Sequence, residues 1–391
     1  MVGDRWRRGE SRDRLLRATV WSIADGGPQA VSGRKVAAAA GVHHPQIQQM
    51  FGSVEELVMA ALIAERDRFN TEAFRSAALP SPLLVAAFPD FWRAMAQVLL
   101  DPGPVDLTRL AEEGPIGQLA TRIGGRSVGR HSGEVEAIAT AWFAAPLGAL
   151  IFREPLQRGL GISADEWEQC WERLGRRIAD LAEVEELPTG GVVDVDPDLA
   201  STPTVAPTGR GRERLLGAAT LLLETRLETS VTGRELAAVA GVNYGLVSHY
   251  FGSKAAAFDE ALSSLHRAFL DDVLGLDDST SSARSLAVFV RHGAFFRSWA
   301  GRLIRGQATP AFELLGMQRL MRLVLGSRSA TRGSRLGDEA MGDVVTAISL
   351  QLGWTILRPL PAVTEPLSLA DVEASLASIH RLILGRPAAA T

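Results

Sequence analysis

Between Asn243 and His249 the chain sets out an amide, a phenol, a hydroxyl and an imidazole within two turns of helix: Asn243, Tyr244, Ser248 and His249. Such donors and acceptors suit the base edges exposed in the major groove of duplex DNA. At the corresponding place two hundred positions earlier stand His43, His44, Gln46, Gln48 and Gln49. A side-chain amide can bond adenine in two places, so these glutamines are candidate base readers. Arginines flank both stretches. An arm rich in arginine, including Arg8, precedes Leu15, and Arg210, Arg212 and Arg214 precede Leu215, giving two local basic patches for phosphate.

The elements that must position these groups are legible around the later stretch. Thr232 followed three residues on by Glu235 is a capping box that opens a short helix, and Gly241 sits where that helix must stop. Asn243 is a suitable N-cap for a second helix, with Leu246, Val247 and Tyr250 at helical spacing before Gly252 and Ser253. Two short helices joined by a glycine turn predict a helix-turn-helix whose second helix enters the groove. Without a gap, Gly33, Arg34, Ala37, Ala38, Ala40, Gly41, Val42, Phe51, Gly52 and Ser53 match residues two hundred further on, which is an internal repeat. It extends into the bodies: Phe91, Trp92, Arg93 and Ala96 echo Phe295, Phe296, Arg297 and Ala300, while Gly148, Ile151 and Arg153 echo Gly353, Ile356 and Arg358.

The run from Gly241 to Lys254, ending Phe-Gly-Ser-Lys, resembles the recognition helix and following cap of TetR-family transcriptional regulators, and the resemblance covers Arg210 to Leu262. It implies an all-α fold in which two heads read two half-sites and two long helices near each C-terminus build a four-helix interface. The candidate interface helices are Glu134 to Phe152 with Ala164 to Glu183, and Gly337 to Leu357 with Leu369 to Leu384. Both protomers are then fused in one chain as an intramolecular pseudo-dimer. The expected domains are a first head (1–60), a first body (61–186), a Pro- and Gly-rich linker (187–209), a second head (210–262) and a second body (263–391).

The resemblance also implies that Lys254 is a phosphate anchor, that His249 and Tyr250 keep the polar aromatic character usual there, and that Thr232 and Arg212 belong to the DNA-facing set. The first copy has Val54, Met50 and Gln49 at the matching positions of Lys254, Tyr250 and His249. Where the family has an aromatic phosphate contact, this chain has Gln48 and Ser248. The heads are therefore expected to be unequal, the second dominating, on an imperfectly palindromic double-stranded operator.

Composition narrows the alternatives. A net charge of −4 confines any DNA contact to local patches. The single cysteine, Cys170, excludes an intramolecular disulfide and a multi-cysteine zinc site. No signal-peptide core or convincing membrane span is read, so the expected location is cytoplasmic. Gly125-Arg-Ser-Val-Gly129 matches a nucleophile-elbow pattern, but no strand is predicted before it, and neither histidine spacing nor a phosphate loop suggests an enzyme. No cofactor is expected.

Each body is expected, by the resemblance, to hold a small-molecule effector. Apolar lining candidates are Phe91, Trp92, Met95 and Trp142 in the first half and Phe289, Phe296, Trp299 and Met317 in the second, with Trp354 further on and His292 beside Arg291 as a polar element. The competing reading is a TetR-like scaffold that has lost DNA binding and serves as a ligand-binding or protein-interaction module.

Overall fold

The computed structural model describes residues 2–126, 130–184, 187, 210–275, 282–307, 338–360 and 369–384, and every regular element among them is helical. The all-α class that the resemblance implies is what the described chain adopts. Three helices open the chain, α1 (Val2–Gly26), α2 (Gly33–Ala40) and α3 (Pro45–Phe51), followed by α4 (Val54–Ala73). Then come α5 (Pro89–Leu100), α6 (Leu107–Ala111), α7 (Pro115–Gly124), α8 (Ser132–Ile151), α9 (Arg153–Leu160) and α10 (Ala164–Asp180). The opening pattern returns as α11 (Gly211–Leu223), α12 (Gly233–Ala240), α13 (Gly245–Phe251) and α14 (Lys254–Gly275). After it lie α15 (Ser282–Arg291), α16 (Gly293–Ile304), α17 (Asp338–Leu357) and α18 (Leu369–Ile383). Of the expected linker, residues 188–209 lie outside the described residues.

Local chemistry sets the helix ends. Thr232 and Glu235 close both halves of a capping box, with Glu235 N–H donating to Thr232 Oγ1 at 3.2 Å and Thr232 N–H to Glu235 Oε2 at 3.1 Å. The first copy has Lys35 where that glutamate stands, and Ser32 makes no side-chain cap bond. Gly41 and Gly241 end α2 and α12 at φ of 64° and 61°, the left-handed region in which a side chain is penalised. Ile47 and Val247 are the buried pegs that seat α3 and α13 on their heads.

The centre of the molecule is built by α8 and α17, which pack on each other. Both are apolar around most of their circumference, as a helix surrounded by protein must be. By length and composition both could also cross a membrane, contrary to the expectation that no segment is long and apolar enough, but 83% of each apolar window is buried inside the protein. Close approach depends on glycine: a Cβ at Gly148 would fall on the Ser349 carbonyl oxygen, and a Cβ at Gly353 on that of Ala144. Gly148 aligns with Gly353 in the repeat and Ala144 with Ser349, so this is one contact made twice in opposite senses.

The same reciprocity recurs around the centre. Helix α10 packs on α17 while α18 packs on α8, and α5 meets α16. Arg93 on α5 donates to the Ile304 carbonyl at the end of α16 (2.7 Å), and its counterpart Arg297 on α16 donates to the Leu100 carbonyl at the end of α5 (2.8 Å). Guanidinium groups at helix C-termini satisfy orphan carbonyls and favour the negative end of the helix dipole. One ion cluster has no counterpart: Arg173 and Arg177 of α10 both grip Asp343 of α17, at 2.9 and 2.8 Å, and the position aligned with Asp343 is Ile138.

Candidate nucleic-acid interface

In the second head the outward side of α13 carries Tyr244, Ser248, His249 and Tyr250, all exposed, with Tyr244 51% accessible. Asn243 does not stand at the cap position itself, which is Tyr244, yet its Oδ1 accepts the Gly245 N–H at 2.9 Å and so closes the first turn. That bond holds the carbonyl end of the amide and leaves its NH₂ outward. The Tyr244 ring folds over Gly233, where any Cβ would collide with it, and this places the start of α13 beside the start of α12. Tyr250 rests its ring against Gly211 and meets His249 edge-on, with centroids 4.9 Å apart.

Two residues expected to face phosphate have internal work. Lys254 opens α14, but its Nζ donates to the carbonyls of Glu228 (2.8 Å) and Val231 (2.6 Å), tying down the loop between α11 and α12. An ammonium has three donors, so at most one remains for an outside partner. Arg212 lies over the Phe251 ring at 5.1 Å and pairs with Glu260 at 2.6 Å. Thr232 is exposed, and its hydroxyl accepts the Glu235 N–H in the capping box. The Glu235 carboxyl is held below the usual carboxylate range by the Thr232 backbone N–H first and by Arg226 next.

The first head repeats the frame with different groups. His44 folds over Gly33 as Tyr244 does over Gly233, joined there by Val54, and Arg12 lies over Phe51 at 5.3 Å as Arg212 does over Phe251. His43, Gln48 and Gln49 are exposed. Gln46 is half-buried and its Oε1 accepts the His43 N–H at 3.0 Å, which makes it a cap for α3 rather than a free reading group. Arg8 lies on α1, with its side chain outside the described residues.

Arg34 and Arg234 join the candidate contacts only in the structure. Both are exposed in the first turn of α2 and α12, with no ion pair among the described residues, and each adjoins the glycine covered by His44 or Tyr244. The available signal was their identity in both copies. With Lys35, they are exposed positive charges without an ion pair among the described residues, next to the outward faces of α3 and α13.

The heads are joined through the end of α5. Asp101, 6% exposed, accepts Gln29 Nε2 from the first head at 2.8 Å on one oxygen and the Leu227 backbone N–H of the second head at 3.3 Å on the other. Beside it Arg302 of α16 and Arg305, the residue that caps its end, reach Glu228 at 3.1 and 3.3 Å. Burial lowers the Arg305 pKa, opposed by the neighbouring Glu228 and Asp101 charges.

The expected ligand residues separate. Phe91, Trp92 and Met95 line a cavity of about 330 Å³ together with Trp354. Trp142 does not; it is buried, with Nε1 donating to the Pro80 carbonyl at 3.2 Å. Phe289 and Phe296 stack at 4.8 Å and Trp299 packs beside them, filling space between helices rather than surrounding a void. His292 is a core histidine bonded to Asp272 at 2.8 Å, its pKa lowered by burial against the pull of that carboxylate. Met317 lies outside the described residues. The segment before Gly125 is the helix α7, so the nucleophile-elbow context is missing. Among the described residues no group of histidine, cysteine and acidic side chains has the arrangement of a metal site.

No protein-family model matches the chain, and no curated protein matches it. The comparison that bears on the site is the one the chain contains, between its first and second heads.

Proposed function

We propose that the protein is a sequence-specific DNA-binding transcriptional regulator, a repressor of TetR-like organisation in which two units are fused as an intramolecular pseudo-dimer. The observation that carries this reading is the paired outward faces of α3 and α13, each seated by a buried peg and flanked by an unpaired arginine, Arg34 or Arg234. Reciprocal contacts across α8 and α17, and between Arg93 and Arg297 and the opposite helix ends, support the pseudo-dimer, because isologous contacts are what a two-fold dimer makes. The partner is a double-stranded operator with two unlike half-sites, and a small apolar or aromatic ligand in the body modulates binding through the spacing of the heads.

Lys254 enters this reading as a positioning residue for the second head, with Arg234, Tyr244, Ser248 and His249 as the groups that meet DNA. Binding of the purified chain to a random duplex pool at two salt concentrations tests it. Phosphate contacts release counterions, so affinity falls steeply as salt rises, and Arg234→Ala shallows that dependence by about one counterion. Salt-independent or absent binding favours the scaffold reading.

A further inference from the structure

The cavity of about 330 Å³ has the size of a small-molecule site and draws its walls from both copies. Phe91, Trp92 and Met95 come from α5, and Trp354, Leu357 and Leu360 from the end of α17 and the turn after it. Two polar residues on the same face of α8, Glu136 and Thr140, enter the lining one turn apart, and they are 6% and 5% exposed. A buried helical threonine ordinarily gives its hydroxyl to the carbonyl four residues back, as Thr19 and Thr346 do at 2.8 and 2.7 Å. The Thr140 hydroxyl makes no hydrogen bond among the described residues and belongs to the cavity lining.

The positive groups at the cavity are already engaged. Arg66 donates to Asp67 at 2.8 and 3.0 Å and to the Leu110 and Glu112 carbonyls, while Arg358 donates to Glu373 at 2.9 Å. A carboxylate ligand would have to break those bonds and sit near Glu136. A hydroxyl on an aromatic ring meets neither obstacle: it takes one hydrogen bond from Thr140, with the ring among the aromatic and leucine side chains.

We propose that this cavity binds a planar aromatic molecule bearing a hydroxyl group, and that the ligand, by touching α5, α8 and the end of α17 together, couples the two copies of the repeat. Only the regulatory consequence rests on the DNA-binding reading; occupancy of the cavity does not.

The test is calorimetric titration of the full chain with 2-naphthol, naphthalene and 2-naphthoate. The expected order is 2-naphthol about 5- to 10-fold tighter than naphthalene, the worth of one buried hydrogen bond, and tighter than 2-naphthoate. Thr140→Val, which keeps the shape, brings 2-naphthol to the affinity of naphthalene and leaves naphthalene unchanged. Leu360→Trp, a second-copy substitution at a half-buried position, fills the cavity and abolishes binding of both while the melting temperature stays within a few degrees. Equal affinities for 2-naphthol and naphthalene, or a Thr140→Val chain that still favours 2-naphthol, overturn the hydroxyl assignment. Unchanged binding by Leu360→Trp overturns the shared site, and no heat with any probe overturns the proposal. A chain that binds 2-naphthol as described but no duplex DNA leaves this inference standing and removes the regulator reading.

Discussion

The two heads share a frame and differ in what holds it. In the second head the loop between the first two helices is secured from within, by Lys254 on the carbonyls of Glu228 and Val231 and by Arg226 on Glu235 and the Ser230 carbonyl. In the first head Val54 replaces that lysine, Lys35 replaces the capping glutamate, and the corresponding loop is tied instead to the body through Gln29 and Asp101. The second head's loop is held from within as well as by Asp101, Arg302 and Arg305 of the body, whereas the first head's loop is held to the body through Asp101. Two copies of a repeat on one chain are free to diverge at their heads while the surfaces that join them keep their reciprocal contacts.

The largest effect that would sharpen the contrast between copies is expected at Asp343, the group with no counterpart in the first. Removing it strands two arginines that pair with it, and Asp343→Ala is expected to cost about 3 kcal/mol in chemical denaturation. Burial pushes the Asp343 carboxyl up, but hydrogen bonds from Arg177 and Arg173 outweigh it and hold the group below its ordinary range. Its contribution is therefore fully present above the unfolded carboxyl pKa of about 3.9 and is lost as pH falls through the lower folded value. Denaturation curves of wild type and Asp343→Asn should converge on acidification below about pH 4; curves that stay parallel would mean the carboxylate carries no such linkage.

A smaller loss, about 2 kcal/mol, is expected from Lys254→Met, because two charge-assisted bonds to backbone carbonyls disappear. Hydrogen exchange should speed in residues 226–232 and stay unchanged in residues 26–32. Equal acceleration in both loops would dissolve the distinction drawn between the heads.

Next in size is the pair Tyr244→Ala and His44→Ala. About a 10-fold loss of operator affinity is expected for the first, in the range of one good base contact, and less than half that in free energy for the second. A reversed order would make the first head the principal reader. The smallest effect concerns the caps: Thr232→Ala should cost about 1 kcal/mol, whereas Ser32→Ala, which removes no cap bond, should be close to neutral in the same thermal melt.

The frame was legible because its punctuation is local. Caps, a left-handed glycine and helical spacing lie within a few residues of each other, so Thr232, Glu235 and Gly241 announce α12, and the repeat then announces α2. Phe91, Trp92 and Met95 were legible as a lining because they share one face of one helix. Asp101 was not, since nothing near it in the chain shows that it meets Gln29 and Leu227, residues brought to it only by the packing of both heads. The internal partners of Lys254 were not legible for the same reason: they lie at residues 228 and 231, and a residue type at the start of a helix does not show which way an ammonium turns. His292 looked like a polar element of a pocket until Asp272 supplied its partner.

Selection of bound sequences from a random duplex pool by the full chain, with its mass measured in solution, tests the central claim most directly. The expected result is a two-part site bound by one chain, with more sequence information in the half read by the second head, so that Tyr244→Ala weakens the stronger half. A symmetric site bound by two chains, or no enriched sequence at low salt, would contradict it.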